Sequence, residues 1–189
     1  GVAAALVLVL LLEGIFAGTS EQIVAYPQKT DADVWVMQEG VSNMHMAVSI
    51  LPGDLEETVR DVPGVGGVTP ILYTSNFVEA GDGRWLSYIV GLQEGTARGG
   101  PWKMAQGDSN LTAGEVIIPD VLALKSGTGL GGTITIMGRQ FRVAGLSKET
   151  FSMANSITFL SYSDLEELLS ASGMASYFLV TAEPGVSPE

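Results

Sequence analysis

Cysteine is absent, and histidine occurs once, as His45. Such a chain carries no disulfide framework, no thiolate nucleophile and no centre built from several His or Cys ligands. Basic residues are scarce too: 9 Lys and Arg stand against 21 Asp and Glu, for a formal net charge of −12. A nucleic-acid-binding surface needs a basic footprint, so nucleic acid is excluded as a partner. No Walker lysine loop and no Ser/His/Asp set can be assembled. We assign no catalytic, cofactor-binding or metal-ligating residue and expect no enzyme.

The chain has 189 residues, 46% of them hydrophobic. That is enough for one sizeable domain or two small ones. Residues 1–18 are nearly all apolar, and Glu13 is their only charge. We read them as a transmembrane helix truncated at its start, anchored by Leu6, Leu8, Leu10, Leu12, Ile15 and Phe16. A signal-peptide core lacks here its basic leader and a good cleavage site. A buried core helix fits less well, because no polar face exists. Residues 19–32 are expected to be a membrane-exit linker in which Pro27 breaks any continuing helix.

Two stretches then echo each other. In the first, a strand over 34–37 precedes a helix opened by Asp54-Leu55-Glu56-Glu57. That helix stops at Pro63-Gly64, and a strand returns over 68–72. In the second, a strand over 157–160 precedes a helix opened by Asp164-Leu165-Glu166-Glu167. It stops at Gly173, and a strand returns over 177–181. Asp54 with Glu57, and Ser163 with Glu166, have the spacing of capping boxes. Leu55, Val59 and Val62 fall on one helical face, and Leu165, Leu168 and Leu169 on another. Acidic residues in a first turn suit the helix dipole. Reading these carboxylates as an acid–base or metal pair would need converging partners, and neither His nor Cys lies near them. Two βαβ halves around a long insertion predict an α+β fold, a porter-like split βαβ/βαβ sandwich with an inserted β-rich lobe, preceded by one transmembrane helix. The expected divisions are residues 33–72 with 156–189 for the sandwich and 73–155 for the lobe.

Met44, His45 and Met46 precede the first of these helices. They read as packing in a semi-apolar connection, with soft-metal binding as the rival. Within the insertion we expect a hairpin turning at Asp82-Gly83, a loose loop over 93–112 and a strand over 115–118. A short helix at Pro119 and a hairpin turning at Gly138-Arg139 follow. Gly127, Gly129 and Gly132 fit G-x-G-x-x-G. Yet a helix precedes them and a strand follows, the reverse of the dinucleotide fingerprint. Asn110-Leu111-Thr112 is a glycosylation sequon, informative only in a eukaryotic secreted protein. Trp102, in Gly-Gly-Pro-Trp-Lys, is either a candidate partner contact or a plug at the lobe's edge.

The order and spacing of several motifs resemble the extracytoplasmic core domain of MacB/FtsX/LolC-type ABC transporter permeases. The matching stretches are Val62-Pro63-Gly64-Val65, the run from Leu111 to Pro119, the Ser126-Gly127 turn and the run from Gly132 to Leu146. The resemblance implies a non-enzymatic domain on the outer side of a bacterial cytoplasmic membrane. It implies a permease dimer and a separate cytoplasmic ATPase subunit that uses ATP, whose work passes through the first membrane helix. It also implies three further membrane helices beyond Glu189, and leaves room for a periplasmic adaptor. A single-anchored extracytoplasmic binding or adaptor module is the alternative.

Overall fold

Helix α1 (Val2–Lys29) leads into the body of the protein. The structure is a computed structural model that describes residues 1–41, 47–151 and 156–188, with side chains for all of these but 17–24. Helix α1 overturns two expectations. It runs through the region expected as a linker over 19–32, and Pro27 sits inside it. A proline in the last turn forfeits one backbone bond without having to sustain further turns. The Thr30 hydroxyl donates to the Pro27 carbonyl at 3.0 Å, and Asp31 then turns the chain at φ 56°. The transmembrane helix expected over 1–18 is not shown. Among the described residues no helix is long and apolar enough to cross a membrane. At 1.5 Å per residue the described apolar stretch covers about 22 Å, short of a hydrocarbon layer of roughly 30 Å.

The body follows in the order β1 (Val34–Val36), β2 (Leu51–Pro52), α2 (Leu55–Arg60), β3 (Val65–Ala80), β4 (Gly83–Leu92), β5 (Met104–Gly107) and β6 (Glu115–Pro119). Next come α3 (Asp120–Ser126), β7 (Thr133–Ile136), β8 (Arg139–Ser147), β9 (Ile157–Ser161), α4 (Tyr162–Leu169), β10 (Met174–Ala175) and β11 (Tyr177–Ala182). One mixed sheet runs β1-β11-β3-β4-β9-β6-β8-β5, and β7 bridges β8 back to β3. The strands β3, β4, β9, β6, β8 and β7 therefore close into a barrel. Antiparallel β11 lies between β1 and β3, which makes that pair parallel. In the same way β9 and β11 are parallel with β3 and β4 between them. Both βαβ halves are thus present and split, in an α+β fold.

Strand β3 is far longer than the expected 68–72, because it serves both parts. Its Leu72, Val78 and Ala80 face the barrel interior with Ile89, Val116, Ile134, Phe141 and Leu160. Its Ile71 and Tyr73 face an aromatic cluster on the other side. Helices α3 and α4 contribute Leu122 and Leu165 to the barrel core. On the remaining face Val68, Phe178 and Val180 pack under α2 through Val59.

Several local expectations shift. Asp54 occupies the N-cap of α2, but its side chain accepts no capping bond. Leu55 and Val62 are exposed, so only Val59 of that apolar face packs. Helix α4 begins two residues before its expected start. Ser161 is its cap, accepting from the Asp164 N–H at 3.1 Å, and Ser163 lies inside the helix. Register Ala80↔Gly83 makes Gly81-Asp82 the hairpin loop, and Ile136↔Arg139 makes Met137-Gly138 the other. Gly81 has no substitute: its φ is 56°, and a Cβ there would stand 2.1 Å from the Ser126 carbonyl oxygen. Strand β5 lies within the expected loop over 93–112. The glycine run holds the expected order, with Gly127 capping α3 in a left-handed conformation and β7 beginning after Gly132. Met44, His45 and Met46 lie outside the described residues.

Candidate functional site

The residues that set this chain apart are those that join α1 to the body. Leu6, Leu8, Leu10, Leu12, Ile15 and Phe16 are all exposed, and so is every described side chain from 1 to 16. Near the end of the helix Tyr26 is buried, only 4% exposed. Its ring enters the aromatic cluster, edge-on to Trp35 at 5.9 Å and tilted against Phe159 at 6.5 Å. Its hydroxyl donates to the Gly99 carbonyl at 2.7 Å. Burial in this apolar surrounding holds the Tyr26 hydroxyl pKa well above the ordinary tyrosine range, so it stays a donor at any physiological pH. Trp35, Tyr177 and Tyr73 continue the cluster at 5.4 and 6.1 Å.

One turn further on, Thr30 is buried and its carbonyl accepts from the Gly99 N–H at 3.2 Å. Gly99 is the residue that permits this approach. Its φ is +78°, and a Cβ would meet Leu179 at 2.9 Å and Ile71 at 3.1 Å. The loop carrying Gly99 therefore lies directly on the sheet and receives the end of α1 on top of it. Asp33 completes the joint by accepting from the Ala182 N–H at 2.8 Å through its carboxylate.

Outside this pin lies a charged layer. Lys29, the last residue of α1, has its Nζ 5.0 Å from the centre of the Trp102 ring and 3.4 Å from a Glu149 oxygen. The other Glu149 oxygen lies 2.6 Å from Lys103 Nζ. The Lys103 hydrogen bond, then that of Lys29, holds the Glu149 carboxyl below the usual carboxylate range. Trp102 is half-buried, packed on the aromatic cluster and covered by Lys29.

The acidic runs singled out in the sequence do not converge. Glu56 pairs with Arg60 on α2. Glu166 accepts from the Gly173 N–H at 2.8 Å, and Glu167 pairs with Arg139 at 2.6 Å. Asp164 is buried, but Gly114 N–H, Ser161 Oγ and Arg139 Nη2 all meet its carboxylate at 2.7 Å. A buried carboxylate engaged by three partners from three separate segments acts as a staple. No group of three His, Cys, Asp or Glu placed to hold a metal occurs among the described residues.

Sequence reasoning missed Tyr26, Lys29 and Glu149. A signal existed for the first two: an aromatic and a lysine close to Pro27, where the apolar run has ended. Glu149 carried none, since its role depends on a contact 120 residues away in sequence.

The fold has known counterparts. The periplasmic region of MacB from Actinobacillus actinomycetemcomitans matches with a TM-score of 0.60 at 17% identity, over 80% of this chain and 74% of that one. The extracellular domain of the noncanonic ABC-type transporter YknZ from Gram-positive bacteria matches with a TM-score of 0.57 at 16% identity, over 72% of this chain and 75% of that one. Among curated proteins none matches. The family model of the MacB-like periplasmic core domain matches residues 1–189. The chain belongs to the MacB-like periplasmic core domain family.

Proposed function

We propose that this is the extracytoplasmic domain of an ABC transporter permease subunit, and that α1 carries work from a cytoplasmic ATPase subunit into the body. The observation that supports it is the form of α1. Its described side chains from Val2 to Phe16 are exposed and, Glu13 apart, almost all apolar, whereas its last turn is pinned into the sheet. A helix hydrophobic all round is stable when buried in a protein core or in lipid. Leu6, Leu8, Leu10, Leu12, Ile15 and Phe16 then seat in the hydrocarbon of a bacterial cytoplasmic membrane, with the body on the outer side.

In this reading the domain performs no chemistry of its own. ATP belongs to the separate subunit, and the permease works as a dimer, with room for a periplasmic adaptor. Tyr26, Thr30 and Gly99 form the connection through which a tilt of α1 reaches the sheet. Export, or another form of extracytoplasmic work, follows from that motion.

The test is to read the coding sequence past both ends of this chain and to purify the product with its neighbours. Three further hydrophobic segments of about 20 residues each, with a co-purifying Walker-type ATPase, are the expected outcome. A reading frame that stops soon after Glu189 overturns the transporter reading in favour of a membrane-tethered binding module.

A further inference from the structure

Helix α1 has two attachments of different kinds. The first is the buried pin of Tyr26 and Thr30. The second is the charged layer, which differs in every physical respect. Its Lys29, Lys103 and Glu149 side chains are 43%, 51% and 45% exposed. Pairs this open are screened by water and salt and add little to folding stability.

Yet the backbone is arranged to hold them. Glu149 adopts φ 66°, a left-handed conformation unfavourable for a residue with a Cβ. Two residues past the end of β8, this turn aims its carboxylate between two lysines. The Lys148 N–H donates to the Lys103 carbonyl at 2.9 Å, which keeps the exit of β8 and the entry to β5 in step beneath it. Strain kept at an exposed position, for contacts that hardly stabilise the fold, points to a conformational role.

We propose that Glu149 is a releasable latch between the barrel and α1. Engaged, it bridges Lys29 of the helix to Lys103 of the barrel edge and keeps Lys29 over Trp102. Released, it leaves α1 free to pivot on Tyr26. The barrel thereby sets the angle of the helix, although the sheet holds its end. The lever is long: from Tyr26 back to Val2 the helix extends about 36 Å, so a tilt of about 10° displaces its far end by about 6 Å. This rests on the reading of α1 as the transmitting element, and adds that transmission is gated by one carboxylate.

The absence of native cysteine makes the test direct. Spin labels are placed at Leu12→Cys on α1 and Leu124→Cys on α3, in the full chain in lipid nanodiscs, and the distance distribution between them is measured. The expected result is one narrow distance at low salt. Glu149→Gln, or 1 M salt with the native Glu149, adds a second population or broadens the first severalfold. Salt has little further effect on the Glu149→Gln chain. Near-ultraviolet circular dichroism and melting temperature should not change, since the pin is intact. A distribution that stays narrow in Glu149→Gln overturns the latch while leaving the rigid joint standing. A distribution already broad in the native chain overturns the rigid joint itself, and the transmission reading with it.

Discussion

Glu115 opens β6 with its carboxylate accepting from the Thr112 N–H at 3.1 Å and pairing with Arg142. The Thr112 hydrogen bond holds its carboxyl below the usual range; desolvation opposes this and Arg142 assists. A carboxyl lowered in the folded state contributes stability above its unfolded pKa and loses it as pH falls through the folded value. Glu115→Gln is therefore expected to cost about 1 kcal/mol at pH 7. The gap to the native chain should close below about pH 4, as read from urea midpoints at pH 7 and pH 3. An equal gap at both would mean that charge is irrelevant to the contact. Asp164 presents the opposite extreme, 2% exposed and engaged on three sides. Removing it strands the Gly114 N–H and frees Arg139 from its buried partner. Asp164→Ala should cost about 3 kcal/mol or more, whereas Glu167→Ala, at a side chain 75% exposed, should cost under about 0.5 kcal/mol. Equal losses in chemical denaturation would refute the assignment of the staple to Asp164.

Helix α4 separates what sequence states about an element from what only packing decides. Asp164-Leu165-Glu166-Glu167 marks a helix start, but Tyr162 precedes it within the helix and Ser161 does the capping. Two serines two residues apart offer the same chemistry, and β9 decides between them by ending at Ser161. Ser161→Ala should cost about 1 to 2 kcal/mol, since its Oγ both caps α4 and donates to Asp164. Ser163→Ala should stay within about 0.5 kcal/mol, and thermal melts of the two variants distinguish them; a larger loss at Ser163 would restore it as the cap. The same boundary explains what was legible elsewhere. Alternation and turn residues mark β7, β8 and both hairpins to within a residue of their loops. Strand β5 was invisible because Met104–Gly107 has neither an apolar face nor alternation, and exists by pairing with β8. The length of β3 was equally hidden. Polar Thr74, Ser75 and Asn76 interrupt its apolar pattern where it passes from the aromatic cluster to the barrel, and register with β4 carries it across. The joint was the least legible, because Tyr26, Gly99 and Glu149 meet only when the sheet brings their loops together.

At the scale of the molecule, charge and apolarity are segregated. Glu13 is the one charge in residues 1–18, so the remaining 20 acidic and 9 basic residues all lie beyond it. The body can therefore sit in water while α1 cannot present its exposed leucines and valines there without cost. Each Leu of α1 is 57–59% exposed and forgoes part of the about 1.5 to 3 kcal/mol that full burial of such a side chain is worth, and the run from Val2 to Phe16 multiplies that several times over. In the proposed arrangement lipid covers this run, whose described side chains from Val2 to Phe16 are all exposed. The full chain should accordingly float with liposomes and resist extraction at alkaline pH. Leu8→Arg places a charge at the middle of the apolar run, at an expected penalty of about 2.5 to 3.5 kcal/mol. That corresponds to a loss of roughly 100-fold in membrane partition, with circular dichroism of the body unchanged. Lys125→Glu, a charge change twice as large and of opposite sign on α3, should leave flotation as it was. If the native chain stays in the soluble fraction, or if Leu8→Arg and Lys125→Glu behave alike, α1 does not seat in lipid and its exposed leucines await a protein partner instead.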